Sequence, residues 1–414
     1  MSKSNRIGYW FNERKSLKLN IESMRKQFAS KGFEFVKLDL DTDLEQQGPF
    51  DAIIHKLCVQ TDSENQDDNA EKQLKSFEEF LEKHPELIVF DRPKNIRKVI
   101  DRYRQYKIVE NSELAKEDGV FTPTFVEMTS SNGEANLYQM HKANVKFPFV
   151  CLVCKPISAQ GTQFTHRMSI IFDEKGLESI KGPCVAQTFI NHNARLFKLF
   201  VIRDQFFVIE RPSLKNFKRN HHQETIYFDT HDISKPYSCS SLIELDEDDK
   251  DIHIIEPNHE RFEKIIKILS KELELYLFGV DVIIDNETGR YAIIDINSFP
   301  GYDGVENYCE LFCNAIIDEI EKARGNCRNS SLSNKKYWPQ KEKKYEIDSG
   351  IDTSDSCDEK KYPKKCETPP MKFYKRQHNR WQQQQSLQQS SPLSLTMNSV
   401  QSPTTSISTV FLDR

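Results

Sequence analysis

Two apolar stretches near residue 290 each carry an aspartate where a core residue would be expected. Asp281 lies within VDVII and Asp295 within AIIDIN, with Asn297 two positions further on. Burying an unpaired carboxylate costs several kcal/mol, so both aspartates must be paired internally or hold a cation. Carboxylate and amide oxygens suit Mg²⁺, which completes its shell with substrate phosphates and water. The pattern favours a magnesium site over the alternative, two polar strand ends facing solvent.

The segment DNETG at 285–289 separates the two stretches and is rich in turn-forming residues. We therefore expect a β-hairpin over residues 279–297. If Asp285 pairs with Tyr291, the same register places Asp281 opposite Asp295, with Cβ atoms about 5 Å apart. Asn297 then shares their face, because side chains alternate along a strand.

Two lysines and a histidine are candidates for contact with an anion. Lys155 ends the apolar stretch FPFVCLVCK, and Lys198 lies inside ARLFKLFVI. A lysine in an apolar strand needs a partner or a path to water. Each lysine is therefore either a phosphate ligand or a charged residue on an edge strand that prevents pairing with another chain. The small-residue loop SAQGT (158–162), which precedes His166, could bring backbone N–H groups to an anion.

The remaining cysteines and histidines do not form a recognisable site. In CLVC, strand alternation places Cys151 and Cys154 on opposite faces, so we expect buried thiols rather than zinc ligands. His221–His222 and the Cys309/Cys313 pair lack a matching set of ligands. The sequence also contains no P-loop, GxGxxG motif or nucleophile elbow.

Composition narrows the functional classes. The chain has 414 residues, enough for two or three domains, and a net charge of −5, which gives no electrostatic reason to expect nucleic acid. No stretch approaches the roughly 18 apolar residues of a membrane span. The ten scattered cysteines, without a signal-peptide core, favour a cytoplasmic protein, with the nucleus as the alternative. We expect a monomer.

The chain opens with a β-α-β-like pattern, which indicates an N-terminal α/β domain with a mostly parallel sheet over residues 1–115. The expected strands are 6–11, 33–39, 50–57 and 87–91, and the expected helices are 16–30, 71–84 and 94–110.

Dense strands follow, and they indicate antiparallel pairing within a second domain over residues 116–325. We expect helices near 258–276 and 305–323. Residues 326–414 are rich in Ser, Gln and Lys and include Gln382–Gln385. Such a composition predicts a disordered tail, and the basic run Lys335–Lys344 is either solvated charge or a docking site for an unknown partner.

Several stretches together closely resemble the inositol-tetrakisphosphate 1-kinase family, also called inositol 1,3,4-trisphosphate 5/6-kinases. They are QTFINHNARLFK, RPSLKNF, and GVDVII followed by AIIDINSFPGYDGV. RIGYW, FDAIIHKL and VIDRY fit the same family, so the resemblance covers roughly residues 6–323. It implies an ATP-grasp fold of the α/β (α+β) class, in which two antiparallel-sheet subdomains clasp ATP after the N-terminal domain.

The resemblance implies a kinase that uses ATP as co-substrate and Mg²⁺, expected as two ions. Its inositol polyphosphate substrates would be inositol 1,3,4-trisphosphate, at the 5- and 6-hydroxyls, and inositol 3,4,5,6-tetrakisphosphate, at the 1-hydroxyl. Reverse phosphatase or isomerase activity is also permitted.

Site residues follow by motif match. The expected magnesium ligands are Asp281, Asp295 and Asn297, and the catalytic residues are Lys155, Lys198 and Asp295. ATP phosphates would meet Arg102 and Lys155. The rest of the nucleotide site would comprise Gln187, Thr188, Phe189, Ile190, Asn191, His192, Asn193, Ala194, Arg195, Leu196, Phe197, Lys198, Ser213, Thr230 and Ser234. The inositol phosphate would contact Lys15, Lys56, His166, Lys198, Asn297 and Gly301.

The sequence departs from the family pattern in places. FPFVCLVCK is longer before its lysine, GTQFTH is one residue longer before its histidine, and Gln160 and Thr230 stand where histidine and serine are usual.

Two other functions remain open. An ATP-grasp ligase would keep the magnesium residues but need an amino-acid pocket instead of Lys15, His166 and Lys198. A non-enzymatic inositol phosphate-binding scaffold would have lost the magnesium residues and lysines that this sequence retains.

Overall fold

The computed structural model describes residues 4–57, 68–145, 147, 151–159, 165–218, 223–250 and 254–325. The expected disordered tail at 326–414, with Gln382–Gln385 and Lys335–Lys344, lies outside these residues, as do Gln160 and His221–His222. None of the helices in the described ranges is long and apolar enough to cross a membrane.

Strands and helices alternate early in the chain, and strands dominate its middle. The strands are β1 Arg6–Trp10, β2 Glu34–Lys37, β3 Ala52–His55, β4 Ile88–Phe90, β5 Val120–Phe121, β6 Phe125–Met128, β7 Leu152–Pro156, β8 Arg167–Ile171, β9 Cys184–Thr188, β10 Arg195–Ile202, β11 Gln205–Pro212, β12 Ile226–Asp229, β13 Leu277–Ile284 and β14 Tyr291–Ser298. The helices are α1 Glu13–Leu19, α2 Ile21–Ser30, α3 Leu44–Gln47, α4 Asp68–Lys83, α5 Pro93–Ile96, α6 Arg102–Asn111, α7 Gly133–Lys142, α8 Thr230–Ile233, α9 His259–Leu273 and α10 Tyr308–Ala323.

The first sheet is fully parallel, with strand order β2-β1-β3-β4. The inner strand β3 is buried at all four positions, as expected for a parallel sheet covered on both faces. The α/β opening of the chain is therefore confirmed.

The helix expected over 16–30 is wrong as a single element, because α1 and α2 meet at Asn20. Asn20 adopts the left-handed conformation with φ 51°. Its N–H donates to the Leu17 carbonyl at 3.2 Å, which closes α1. Its side chain accepts from the Ser23 N–H at 3.2 Å, which starts α2. Asparagine tolerates this conformation better than most residues, so one residue both ends and starts a helix.

The helix expected over 94–110 is likewise interrupted. It consists of α5, a 3₁₀ turn over Arg97–Val99, and α6. Asp101 starts α6, since it has extended backbone and its side chain accepts from the Arg104 N–H at 2.9 Å. The break aims α6 at the strands that carry the site.

The second sheet has strand order β11-β10-β13-β14-β5. Its strands pair antiparallel, except that the short β5 runs parallel to β14. Helix α9 packs its apolar side on this sheet, with a 3.6-residue spacing that predicts such a face. Its buried residues are Phe262, Ile265, Ile266, Ile268, Leu269 and Leu273.

The third sheet is antiparallel throughout, with order β12-β8-β7-β9-β6. Cys151 and Cys154 are buried thiols in two separate apolar clusters on opposite sides of this sheet, which confirms their expected placement. The second and third sheets thus supply two antiparallel or predominantly antiparallel sheets, as the ATP-grasp resemblance implies.

Candidate active site

The hairpin formed by β13 and β14 brings Asp281 directly opposite Asp295, as predicted, but by a different register. Tyr291 pairs with Ile284, not with Asp285, and Ile293 pairs with Val282. A β-bulge then shifts the register by one residue, so that Asp281 pairs with Asp295. The expected Asp285–Tyr291 pair is therefore wrong, and Ile294 is the extra residue that restores the facing carboxylates.

Cations surround the two carboxylates. Lys198 Nζ donates to Asp281 Oδ2 at 2.6 Å from the neighbouring strand β10. Arg102 Nε lies 3.5 Å from Asp295 Oδ1, and Asn297 Nδ2 donates to Asp295 Oδ2 at 2.8 Å. Burial raises the pKa of Asp281 despite Lys198. Burial also opposes ionisation of Asp295, but Arg102 and Lys155 outweigh it and lower that pKa.

The donor set fits a hard cation. Asp295 Oδ1 is buried and, among the described residues, accepts no hydrogen bond, so it retains a lone pair for a further ligand. The described part of the chain contains no cluster of three or more His, Cys, Asp or Glu side chains suited to a metal. The set is instead two carboxylates and the Asn297 amide, which matches Mg²⁺ shared with phosphates and water.

Lys155 lies at the centre of this region with only 6% of its surface exposed. Its Nζ donates to Tyr106 Oη at 3.0 Å, Gln187 Oε1 at 2.9 Å and the Ile294 carbonyl at 2.8 Å. Burial lowers the pKa of Lys155 to about 8, although Asp295 acts in the opposite direction. The ammonium is held beside Asp295 by three oxygen acceptors.

Arg102, on α6, ties the third sheet to the metal side. Its guanidinium donates to the carbonyls of Pro156 at 2.6 Å and Ser158 at 2.7 Å, and to Thr165 O at 3.3 Å. The Nε of Arg102 faces Asp295, so the guanidinium balances the charge of that carboxylate. The two terminal nitrogens of the guanidinium bond to backbone carbonyls.

The segment between β9 and β10 links the third and second sheets, where the nucleotide is expected. His192 Nδ1 bonds to the Ile190 carbonyl at 2.6 Å, and Ser213 Oγ lies 2.7 Å from His192 Nε2. Asn193 and Ala194 have positive φ values of 54° and 55°, which turn the chain into β10. This segment therefore connects the two sheets and is held in place by the hydrogen bonds of His192.

Other members of the expected nucleotide set have structural partners. Asn191 Oδ1 accepts from Phe217 N at 2.9 Å, and Arg195 Nε donates to Glu210 Oε1 at 2.7 Å. The side chains of Leu196 and Phe197 are buried in apolar clusters. Thr188 and Phe189 N–H groups donate to the carbonyls of Thr124 and Cys151, both at 2.8 Å.

Thr230, Ser234 and His166 come together beside α8. His166 Nδ1 is 3.2 Å from Thr230 Oγ1, and Ser234 Oγ donates to Thr230 O at 3.2 Å. The His231 ring, which the sequence did not single out, lies edge-on to His166 with centroids 4.2 Å apart. Asp229 Oδ1 binds His231 Nδ1 at 2.8 Å.

The expected substrate residues gather around the turn after β14. Lys15 Nζ donates to the carbonyls of Phe299 at 3.0 Å and Pro300 at 2.8 Å, and Lys56 Nζ to Phe299 at 3.3 Å. A Cβ on Gly301 would lie 2.6 Å from Lys18 Nζ. Two lysines from the N-terminal part of the chain thus converge on the Phe299 carbonyl, two residues beyond Asn297.

Several contributors were not identified from the sequence. Tyr106 and Gln105 on α6 bind the strand that carries Asp295. Lys18 pairs with Asp303 at 3.1 Å, and Arg211 donates to the Asp303 carbonyl at 2.8 Å. The run DRYRQY mixes basic and aromatic residues on a helix, and that mixture was the available signal for Tyr106.

Chemically, this arrangement can accept a polyanion beside a cation. Arg102, Lys155 and Lys198 surround two carboxylates, and Lys15 and Lys56 lie at the adjoining turn. No group here needs to act as a nucleophile, because phosphoryl transfer depends mainly on positioning and charge stabilisation.

Two family models match the chain. The inositol 1,3,4-trisphosphate 5/6-kinase pre-ATP-grasp domain matches residues 6–96. The inositol 1,3,4-trisphosphate 5/6-kinase ATP-grasp domain matches residues 114–318. The second match includes Lys155, Lys198 and the whole hairpin with Asp281 and Asp295.

Similar proteins extend over most of the chain. The inositol-tetrakisphosphate 1-kinase of Xenopus laevis is 39% identical over 334 residues, which cover 80% of this chain and 83% of that protein. The inositol-tetrakisphosphate 1-kinase of Danio rerio is 40% identical over 322 residues, covering 77% and 80%. A solved D-alanine–D-alanine ligase from Bacillus anthracis, complexed with ATP, aligns with a TM-score of 0.47 at 15% identity, covering 77% of this chain and 98% of that one.

Proposed function

The chain belongs to the inositol 1,3,4-trisphosphate 5/6-kinase family, and from that premise we propose that it transfers phosphate from ATP to inositol phosphates. It is an ATP-grasp kinase, a phosphotransferase with an alcohol group as acceptor. The substrates we propose are inositol 1,3,4-trisphosphate, at the 5- and 6-hydroxyls, and inositol 3,4,5,6-tetrakisphosphate, at the 1-hydroxyl.

The observation that carries the proposal is the facing pair Asp281–Asp295 with cations on one side and lysines at the adjoining turn. Asp295 keeps a buried oxygen without a hydrogen bond in the described structure. Lys15 and Lys56 both bind the Phe299 carbonyl, two residues beyond Asn297. A site for ATP phosphates therefore adjoins a basic site for a second polyanion.

Each residue has a proposed role in transfer. Asp281, Asp295 and Asn297 would hold Mg²⁺, which we expect as two ions and which supplies electrostatic stabilisation of phosphate charge. Lys155 and Lys198 stabilise charge on the phosphoryl oxygens, and Arg102 binds ATP phosphate. A metal-binding role leaves Asp295 poorly suited to act as a base.

On the substrate side, Lys15, Lys56, His166 and Gly301 orient the inositol phosphate so that one hydroxyl is in line with the γ-phosphate. The segment Gln187–Lys198, with Ser213, Thr230 and Ser234, lines the adenosine. Positioning of this kind supplies much of the catalysis, since the reacting atoms must approach within about 3–3.5 Å.

We further propose residues 1–115 as the substrate-binding domain and 116–325 as the nucleotide- and magnesium-binding domain. We also propose that the protein has reverse phosphatase or isomerase activity, that it is a monomer and that it is located in the cytoplasm. The free cysteines among the described residues agree with a reducing compartment.

The test is incubation of the full chain with ATP, Mg²⁺ and a panel of inositol tris- and tetrakisphosphates, with products separated by isomer. We expect ATP-dependent formation of inositol phosphates carrying one additional phosphate. D-Alanine and short peptides serve as the ligase comparison. ADP release with those acceptors alone would support the ligase, and inositol phosphate binding without any ATP turnover would support the scaffold.

A further inference from the structure

We propose that Tyr106 is a positioning residue of this site, because its hydroxyl fixes the β-bulge that places Asp295 opposite Asp281. The inference deepens the proposed function, on which it rests for the roles of Asp295 and Lys155. Tyr106 itself touches neither carboxylate by hydrogen bond; it acts through the backbone of Ile294 and through the Lys155 ammonium.

The bulge is required for the two carboxylates to meet. Between Ile284–Tyr291 and Val282–Ile293 the ladder is regular, and continuing it would pair Asp281 with Ile294. Asp295 would then pair with Val280 and point to the opposite face of the sheet, because a one-residue slip reverses the side-chain direction. The extra residue, Ile294, shifts the register by one and so places Asp295 on the same face of the sheet as Asp281.

A bulge leaves backbone groups without their ladder partners. Here the Ile294 carbonyl accepts the Tyr106 hydroxyl at 2.8 Å and Lys155 Nζ at 2.8 Å. Lys155 also donates to Tyr106 Oη at 3.0 Å. Phenol, ammonium and bulge carbonyl form a closed triangle one residue away from Asp295.

The neighbouring residue on α6 secures the other side of Asp295. Gln105 Oε1 accepts from the Ile296 N–H at 3.1 Å, and its Nε2 donates to the Val99 carbonyl at 2.5 Å. Both side chains are fully buried. Helix α6 therefore holds the backbone on both sides of the proposed magnesium ligand.

This arrangement couples the lysine proposed for ATP phosphates to the aspartate proposed for magnesium. Removing the Tyr106 hydroxyl takes one of two side-chain donors from the bulge carbonyl, as counted over the described residues, and leaves Lys155 with one acceptor fewer. Because the site must be held within a fraction of an ångström, the cost should fall on metal and nucleotide binding rather than on the fold as a whole.

The test compares the full chain carrying Tyr106→Phe with the matched control Tyr291→Phe. Tyr291 lies on β14, the strand that carries Ile294 and Asp295; it is also buried, and its hydroxyl accepts from the Asn258 N–H at 2.5 Å. Each variant thus loses one hydroxyl that is hydrogen-bonded to backbone. Of the two tyrosines, Tyr106 is the one whose hydroxyl bonds to the bulge carbonyl.

The first readout is the Mg²⁺ concentration that gives half of the ADP-induced rise in melting temperature. We expect about a fivefold increase for Tyr106→Phe, which removes the hydrogen bonds of the hydroxyl to the Ile294 carbonyl and to Lys155, and no change for Tyr291→Phe. The second readout needs no ligand: hydrogen exchange of the amides in 294–297 should be about fivefold faster in Tyr106→Phe than in the control.

Unchanged Mg²⁺ dependence together with unchanged exchange would overturn the positioning role, even if the variant were less stable. If the wild-type protein shows no Mg²⁺-dependent binding of ADP, the proposed function fails. In that case the exchange of 294–297 still decides whether Tyr106 fixes the bulge.

Discussion

Asp281 and Asp295 face each other as a half-buried pair, yet their environments differ. Within the described residues only Lys198 bonds to the Asp281 side chain, whereas Arg102 and Lys155 both act on Asp295 and Asn297 donates to it. The pKa is raised for Asp281 and lowered for Asp295. Two like charges this close resist joint ionisation, so a cation between them would relieve a repulsion built into the hairpin.

Asp295→Ala should remove most of the catalytic rate. The change deletes a proposed magnesium ligand and leaves Arg102 without its carboxylate, so we expect kcat to fall by roughly a hundredfold or more. Initial rates with inositol 1,3,4-trisphosphate, on protein shown to be folded by circular dichroism, measure the effect.

The matched control is Asp285→Ala in the same hairpin. In the part of the chain that the structure describes, the Asp285 carboxylate bonds only to the Glu287 N–H and Thr288 Oγ1 of the turn, so the kcat of Asp285→Ala should stay within about twofold of wild type. Equal rates for Asp295→Ala and wild type would show that the magnesium assignment is wrong.

The buried histidine His192 makes stability depend on pH. Burial lowers its pKa to about 4, although its bond to the Ile190 carbonyl acts in the opposite direction. An unfolded histidine has a pKa of about 6.5. The unfolded chain therefore binds a proton that the native state does not, and stability falls as pH drops from about 6.5 towards 4.

Between pH 7 and pH 5 this residue should account for a loss of about 2 kcal/mol in the free energy of unfolding. In His192→Gln we expect this loss of about 2 kcal/mol to disappear. In the control His141→Gln, which changes an exposed residue of α7, the loss should remain. Urea unfolding at both pH values measures the difference. A pH dependence that is the same in all three proteins would contradict the assignment.

At the scale of elements, single polar residues decide where helices end and how they are aimed. Asn20 separates α1 from α2, and Asp101 starts α6 after the 3₁₀ turn. The first break sets the direction of α1, which carries Lys15 to the Phe299 carbonyl. The second directs Arg102, Gln105 and Tyr106 at β14. A hydrophobic periodicity alone does not report such breaks.

Asn20→Ala should lower the free energy of unfolding by about 1–3 kcal/mol. The change removes a side-chain cap and places alanine in a left-handed conformation. Asn20→Gly should cost only a few tenths of a kcal/mol, because glycine adopts that conformation freely. Denaturant unfolding of both variants checks the order; an equal loss in both would exclude backbone conformation as the cause.

At the scale of the whole molecule, the residues of the candidate site come from all three sheets and the segments beside them. The first sheet and α1 supply Lys56 and Lys15, the third supplies Lys155, and the second supplies Lys198 and both aspartates. Arg102 bridges from α6 to the carbonyls of Pro156 and Ser158 while facing Asp295. Loss of packing in any one sheet would therefore disturb the same centre.

A chain ending at Gly325 should keep its stability and its kinase activity. Among the described residues the last core position is Ile320, and Arg324 closes α10 through ion pairs with Asp51 at 2.8 Å and Glu321 at 3.1 Å. We expect a melting temperature within about 2 °C of the full chain and an unchanged kcat. A fall in kcat at equal stability would assign a role in catalysis to residues 326–414.

The sequence alone determined the parallel α/β opening, the run of antiparallel strands, and the hairpin with its two aspartates and the flanking Lys155 and Lys198. Periodicity, turn composition and polar residues in apolar strands are local properties, and they are visible in single segments. The motifs from RIGYW to FPGYDGV, taken in their order along the chain, indicated the family.

Only the tertiary structure decided the register that makes the site. The predicted pairing of Asp285 with Tyr291 was wrong, and Asp281 meets Asp295 because of the bulge at Ile294. That bulge is held by Tyr106 and Lys155, which lie 188 and 139 residues away from Ile294 in the chain. Such contacts depend on packing between distant segments, so no local pattern around residue 294 could have specified them.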